Sequence, residues 1–312
     1  MRKKYALILS YALSAGVLYA LAARCGFSGI GNAFSAARPA PIIIAVAVSL
    51  VFRILLSPLL WQAALRSMGH NGRYRDLLMI NAVSLPLKFV SPFRLSEVVR
   101  AAGLAALTRE GFAAALGSTV AVKAAILEAT GLLLLAGALF KNYFTAAFII
   151  AAALVVVPAV LVAVARSASR TDMPAWLGSF AQVVRPLAEP ATLALLPAAV
   201  ILQAGEIVCA FLLISALGAV VGAADILYFG SLMILVSAVP VSVQGLGIRE
   251  SAAVMWLGAF ALSPEIALSF GLLQSVVYHV LPALFGSILW LFDVGMRTLA
   301  KSVGREVLGY VP

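Results

Sequence analysis

Apolar residues run along most of the chain, broken at intervals by short polar stretches. A membrane-spanning helix needs about 20 consecutive apolar residues, whereas runs of about 10–14 suit re-entrant or buried pieces. On that criterion the pattern predicts six spanning helices, over residues 5–23, 40–61, 111–140, 144–165, 192–217 and 266–292. Two further regions share another form, in which two short apolar pieces flank a polar turn. In the first, residues 76–87 lead to Lys88-Phe89-Val90-Ser91-Pro92-Phe93-Arg94, and residues 95–107 follow with Glu97 and Arg100. In the second, residues 225–239 lead to Pro240-Val241-Ser242-Val243-Gln244-Gly245-Leu246-Gly247-Ile248-Arg249-Glu250, and residues 251–262 follow. Pro240 removes an amide donor, and Gly245 and Gly247 favour an unwound backbone. Such backbone is tolerated at membrane depth only where protein buries it or where it lines a watery cavity.

Each region therefore reads as a re-entrant hairpin: a helix enters the membrane, unwinds and returns. The competing reading, two ordinary kinked spans, gives eight crossings. The expected fold is an all-α polytopic membrane bundle, a single membrane domain over residues 1–312. Its halves are residues 5–165 with hairpin 76–107 and residues 192–292 with hairpin 225–262.

Composition agrees. Hydrophobic residues make up 63% of the chain and charged residues 11%, where soluble proteins carry about 25% charged residues. The polar stretch 166–190 is too short and too poor in core residues to fold alone. Residues 1–23 imitate a signal peptide, but the apolar run is about spanning length and is expected to remain as an uncleaved first helix. The two cysteines, Cys25 and Cys209, sit in different helices and suggest neither a disulfide nor a metal site.

The net charge of +10 would suggest nucleic acid in a soluble protein. Here the excess of Lys and Arg in cytoplasmic loops explains it. With both regions as hairpins and a cytoplasmic N-terminus, the cytoplasmic segments hold fifteen basic residues: Arg2, Lys3, Lys4, Arg66, Arg73, Arg75, Arg94, Arg100, Arg109, Arg166, Arg170, Arg185, Arg297, Lys301 and Arg305. The outer segments hold three, Arg24, Arg38 and Lys141, and four remain at membrane depth: Arg53, Lys88, Lys123 and Arg249. Both termini are thus expected on the cytoplasmic side of an inner, cytoplasmic-type membrane. The first hairpin then enters from the cytoplasm and the second from outside, an inverted repeat of the kind that many transporters use. Pro86 precedes Glu97 by eleven residues and Pro240 precedes Glu250 by ten, an echo of that repeat.

The motifs also resemble a known family. Residues 239–250 are similar to the Pro…Gly-x-Gly-x-x-Glu signature of the flippase-like membrane proteins that include the transmembrane region of lysylphosphatidylglycerol synthase. Residues 85–100 resemble its other signature, a Pro, a basic turn and a Glu followed three residues later by Arg. Residues 267–291, rich in small side chains and containing Gly286, resemble its last helix. Ser96 stands where the family often has Gly, and Lys123 and Glu128 stand five apart where it often has a close Arg and Asp. The resemblance implies a role in moving lipids or lipid-linked sugars between leaflets, or beside hopanoid or glycan pathways. No aminoacyltransferase domain is expected in residues 1–312.

A charge at the centre of a membrane helix costs about 2.5–3.5 kcal/mol on insertion scales, so such residues face protein or water. Arg53, Lys123, Glu128 and Glu206 fall in this class. Lys123 and Glu128 lie about 140° apart around a helix and are not expected to pair. Glu206 shares a face with Gln203. Lys88, Arg94, Arg100 and Arg249 place four cations near two unwound turns whose amides favour anions, and the arginine fork suits phosphate. Glu97 and Glu250 would hold these arginines in position. His279 is a candidate proton relay with Glu206.

The cations Arg53, Lys88, Arg94, Arg100, Lys123 and Arg249 outnumber the carboxylates Glu97, Glu128, Glu206 and Glu250 by six to four. An anionic headgroup would complete that excess. No nucleophile with a base, no metal spacing, no Walker loop and no strand-linked dinucleotide motif occurs. No enzyme activity, cofactor or nucleic-acid partner is therefore expected. The expected function is a lipid flippase moving an anionic phospholipid or polyprenyl-phosphate-linked headgroup through a central basic cavity. The alternative is a non-transporting lipid-binding partner of a lipid or glycan biosynthetic enzyme.

Overall fold

A computed structural model describes residues 2–90, 95–108, 111–167, 193–237, 245–260 and 262–292. The described elements are all helical. Five helices are long and apolar enough to cross a membrane, Pro39–Ser67, Phe112–Phe140, Phe144–Ala163, Leu196–Ala216 and Pro264–Leu289. They correspond to five of the six expected spans, and α1 (Arg2–Cys25) occupies the place of the other.

After α1 come a short helix α2 (Phe27–Ser35) and the second span, built as α3 (Pro39–Leu50), a π turn (Val51–Leu56) and α4 (Ser57–Ser67). The first hairpin region holds α5 (Tyr74–Val90) and α6 (Leu95–Thr108), followed by the spans α7 (Phe112–Phe140) and α8 (Phe144–Ser167). The second half begins with span α9 (Leu196–Ala216) and continues with α10 (Ala223–Ser237) and α11 (Ile248–Gly258). It closes on a span made of α12 (Pro264–Ser275), a second π turn (Val276–Val280) and α13 (Leu281–Phe292).

At 1.5 Å rise per residue, the described parts of α5, α6, α10 and α11 measure about 26, 21, 22 and 16 Å. Helix α5 runs through Val90, so Lys88 sits in its last turn and not in the unwound segment expected from sequence. Pro86 lies inside this helix.

Between spans, left-handed residues stop the helices. Gly69, Gly218 and Asn142 all have positive φ. In each case the next amide reaches back to the helix, as in Tyr143 N–H to the Ala138 carbonyl at 2.9 Å. This is the Schellman closure.

Among the described residues two apolar cores are the largest. One gathers α4, α5, α6 and α7 around Trp61, Leu65, Leu77 and Leu104. The other gathers α3, α9, α10, α11 and α12 around Leu213, Met233, Leu257 and Phe270. Packing between the halves is reciprocal: α5 lies on α13, α10 lies on α7, and α3 meets α9 between them. Both cross-contacts depend on a glycine. A Cβ at Gly137 would come 2.6 Å from the Tyr228 backbone nitrogen, and one at Gly286 would strike the Ala82 carbonyl. Small residues at these crossings let backbones approach without a hydrophobic driving force from water. The outer side of α8, with Phe148, Ile149 and Val155 to Val157, is exposed and apolar, as a lipid-facing surface is.

Candidate functional site

Prolines shape the centre of the bundle. Each π turn ends two residues before a proline: Leu56 before Pro58, and Val280 before Pro282. In a π turn the carbonyl of residue i bonds the amide of residue i+5. The Ser57 amide bonds Phe52 and the Leu281 amide bonds Val276 in this way. The next carbonyl in each series, Arg53 and Val277, would need the amide of Pro58 or Pro282, and proline has none. Side chains from other helices supply the donors. Asn81 Nδ2 donates to the Arg53 carbonyl at 2.9 Å, and Ser49 Oγ donates to the Val277 carbonyl at 2.8 Å. Pro86 likewise leaves the Ala82 carbonyl without its helical donor, and this is the carbonyl that meets Gly286.

The two π turns bring Arg53, Tyr278 and His279 together. The Arg53 guanidinium lies over the Tyr278 ring, 4.0 Å from its centroid. Its Nη2 is 3.9 Å from Glu206 Oε2, a loose ion pair, and its Nε has no hydrogen-bond partner. Arg53, Lys88, Tyr278 and His279, with Leu85, Phe89 and Pro282, line a narrow cleft with room for little more than one water molecule. Three of these residues can carry positive charge.

The first hairpin motif forms a network beside this cleft. Arg100 Nε donates to Ser84 Oγ at 3.0 Å, Nη1 donates to Glu97 at 3.4 Å, and Nη2 donates to Asn81 Oδ1. The Lys123 ammonium lies 3.2 Å from the other Glu97 oxygen. Asn81 therefore joins Arg100 to the backbone of the first π turn, and Glu97 joins it to α7.

In the second motif Gly245 and Gly247 both take left-handed φ, 76° and 86°, the conformation that glycine permits. Glu250 is fully buried and accepts the Gly247 amide at 2.6 Å, closing the first turn of α11. Its other oxygen accepts the Ser275 hydroxyl at 2.5 Å. Arg249 is buried; its Nε donates to Ser237 Oγ at 3.2 Å and its Nη1 to Ser275 Oγ at 3.0 Å. A Cβ on Gly245 would crowd the Arg249 guanidinium at 3.2 Å.

The residues expected to bind phosphate thus divide. Arg53 and Lys88 face the cleft with His279. Arg100 directs donors to a hydroxyl, an amide and a carboxylate of the protein itself, and Arg249 to two hydroxyls. Lys123 is paired with Glu97. Pro92, Arg94 and Pro240 lie outside the described residues. Glu206 belongs to the cleft through Arg53, and its neighbour Gln203 bonds Thr130 at 2.9 Å instead. Glu128 is not brought to this centre: it is partly exposed, beside the exposed Leu127, and has no ion pair within 4 Å among the described residues. Ser49, Asn81, Ser84, Ser237 and Ser275 were invisible to a search for charge. Pro58 and Pro282, set within apolar runs, were the available signal.

Among the described residues no group of three or more His, Cys, Asp or Glu side chains could hold a metal ion. The family model described as the lysylphosphatidylglycerol synthase TM region matches residues 7–286. No curated protein matches the chain.

Proposed function

The chain belongs to the lysylphosphatidylglycerol synthase transmembrane-region family, and from that premise we propose that it moves an anionic lipid headgroup between the leaflets of its membrane. The observation that supports this most is the cleft lined by Arg53, Lys88 and His279 at the meeting of the two π turns. An arginine with an unfilled Nε beside a lysine offers a phosphate both a planar fork and a point charge. The lipid tails would remain in the bilayer while the headgroup crosses.

The closed cleft is too small for a headgroup, so admission requires the first hairpin to part from α13. Arg100 and Arg249 then serve as the fixed supports of the two hairpins. The hairpins enter from opposite leaflets in this proposal, with both termini cytoplasmic, as the distribution of basic residues favours. No chemical conversion of the lipid is part of the proposal.

Reconstitution into liposomes carrying a headgroup-labelled phosphatidylglycerol tests it. Wild-type protein should expose inner-leaflet label to an external quencher, and Arg53→Ala should slow that exposure at least tenfold. Equal rates for the two proteins would remove Arg53 from the path. Binding without any exchange would reduce the role to lipid presentation.

A further inference from the structure

We propose that Glu206 is a proton-coupling carboxylate, which yields Arg53 to the lipid phosphate and takes up a proton as it does so. This deepens the proposed lipid transport and rests on it. Among the described residues, Glu206 is the carboxylate within 4 Å of Arg53, and at 3.9 Å the pair is longer than a hydrogen bond. Tyr278 holds the flat face of the guanidinium, while Nε stays without an acceptor. An anion entering the cleft can therefore use the guanidinium edge without first breaking a tight bidentate bond.

Charge balance supplies the coupling. A phosphodiester brings one negative charge into a largely buried site and takes over the Arg53 guanidinium. Glu206, left at membrane depth without its cation, is costly as an anion. A proton from bulk water added to its carboxylate restores the original net charge. The pair of Arg53 with Glu206 breaks, the phosphate pairs with Arg53 beside Lys88, and no covalent bond other than the O–H of the new carboxylic acid forms. On release the phosphate departs, Glu206 loses the proton and the pair with Arg53 re-forms. The lipid anion and the proton then cross together, so movement responds to a pH gradient and not to membrane potential.

Tyrosine, cysteine and arginine side chains beside Glu206 hold their own protons near neutral pH and cannot take up another. Tyr278 on the second π turn, Cys209 on α9 itself and Arg249 on α11 all feel its charge. On the other helices packed against α9, Lys123 is paired with Glu97 and Asp225 with Lys141, while Glu128 is partly exposed. His279 also lines the cleft. Arg53 and Lys88 line the same cleft, and the His279→Gln variant separates this residue from Glu206.

The test is calorimetric binding in buffers of differing ionisation enthalpy, with full-length protein in detergent. Dihexanoyl phosphatidylglycerol serves as the phosphodiester and a short-chain polyprenyl phosphate as the monoester. Whichever binds identifies the lipid class. Wild type should take up about one proton per phosphodiester bound, with affinity weakening by up to about tenfold per unit rise in pH. His279→Gln should keep this uptake, whereas Glu206→Gln should bind and take up none. In liposomes, wild-type exchange should follow a pH gradient and ignore a valinomycin potential. Binding without proton uptake in wild type, or uptake lost in His279→Gln, would overturn the coupling while leaving lipid transport standing. Wild type that folds and binds neither lipid would overturn both.

Discussion

The two hairpin regions solve the same problem with different partners. In each, an arginine on the second arm donates its Nε to a serine on the first arm: Arg100 to Ser84 at 3.0 Å, and Arg249 to Ser237 at 3.2 Å. In each, a glutamate sits in the first turn of the second arm. The glutamates then diverge. Glu250 is fully buried and bonds the Gly247 amide and the Ser275 hydroxyl, so it fixes the start of α11. Glu97, with 16% of its side chain exposed, bridges Arg100 and Lys123. The second hairpin is therefore tied by short bonds within a sealed site. The first is tied by a partly exposed charge network next to the cleft. If one hairpin moves to admit a headgroup, the first has the weaker restraint.

The largest effect should separate the two glutamates. Glu250→Ala should destabilise the protein by about 3–5 kcal/mol, because it leaves a buried arginine without its counter-charge and the helix without its cap. Glu97→Ala should cost about 1–3 kcal/mol. Thermal melts of the detergent-purified proteins measure the difference, and equal losses would remove the asymmetry. The glycine crossings should behave alike: Gly137→Val and Gly286→Val each force backbones apart, at about 3 kcal/mol. A loss at only one of them, read by the same melts, would break the reciprocity of the two halves. The smallest effects belong to the donors that serve proline-freed carbonyls. Asn81→Ala and Ser49→Ala should each cost about 1–2 kcal/mol. Asn81→Ala should cost more, since Arg100 also loses a partner, and a double mutant with Ser84→Ala should show non-additive losses.

Much of the fold was legible because lipid imposes a simple rule. Backbone groups must be satisfied within a helix, so the lengths of apolar runs reveal the spans. That rule located five long spans within a few residues. Gly245 and Gly247 were legible as well, because glycine readily takes positive φ. By sequence the first apolar piece ends at residue 87, which puts Lys88 in the turn, whereas α5 includes it. Pro86 costs α5 one donor, yet the helix continues past it to Val90.

By itself the sequence determined the class of protein, its membrane spans and the buried charges that need partners. Hydrophobic length and charge are properties of single segments, and each segment can be read alone. The tertiary structure decided which charges meet. It joined Arg53 to Tyr278 and Glu206, gave Lys123 to Glu97, and left Glu128 apart. Such pairings depend on how each helix is rotated and how deeply it sits against its neighbours. Those quantities are set by glycine crossings and proline-freed carbonyls far apart in the chain, and no local pattern encodes them.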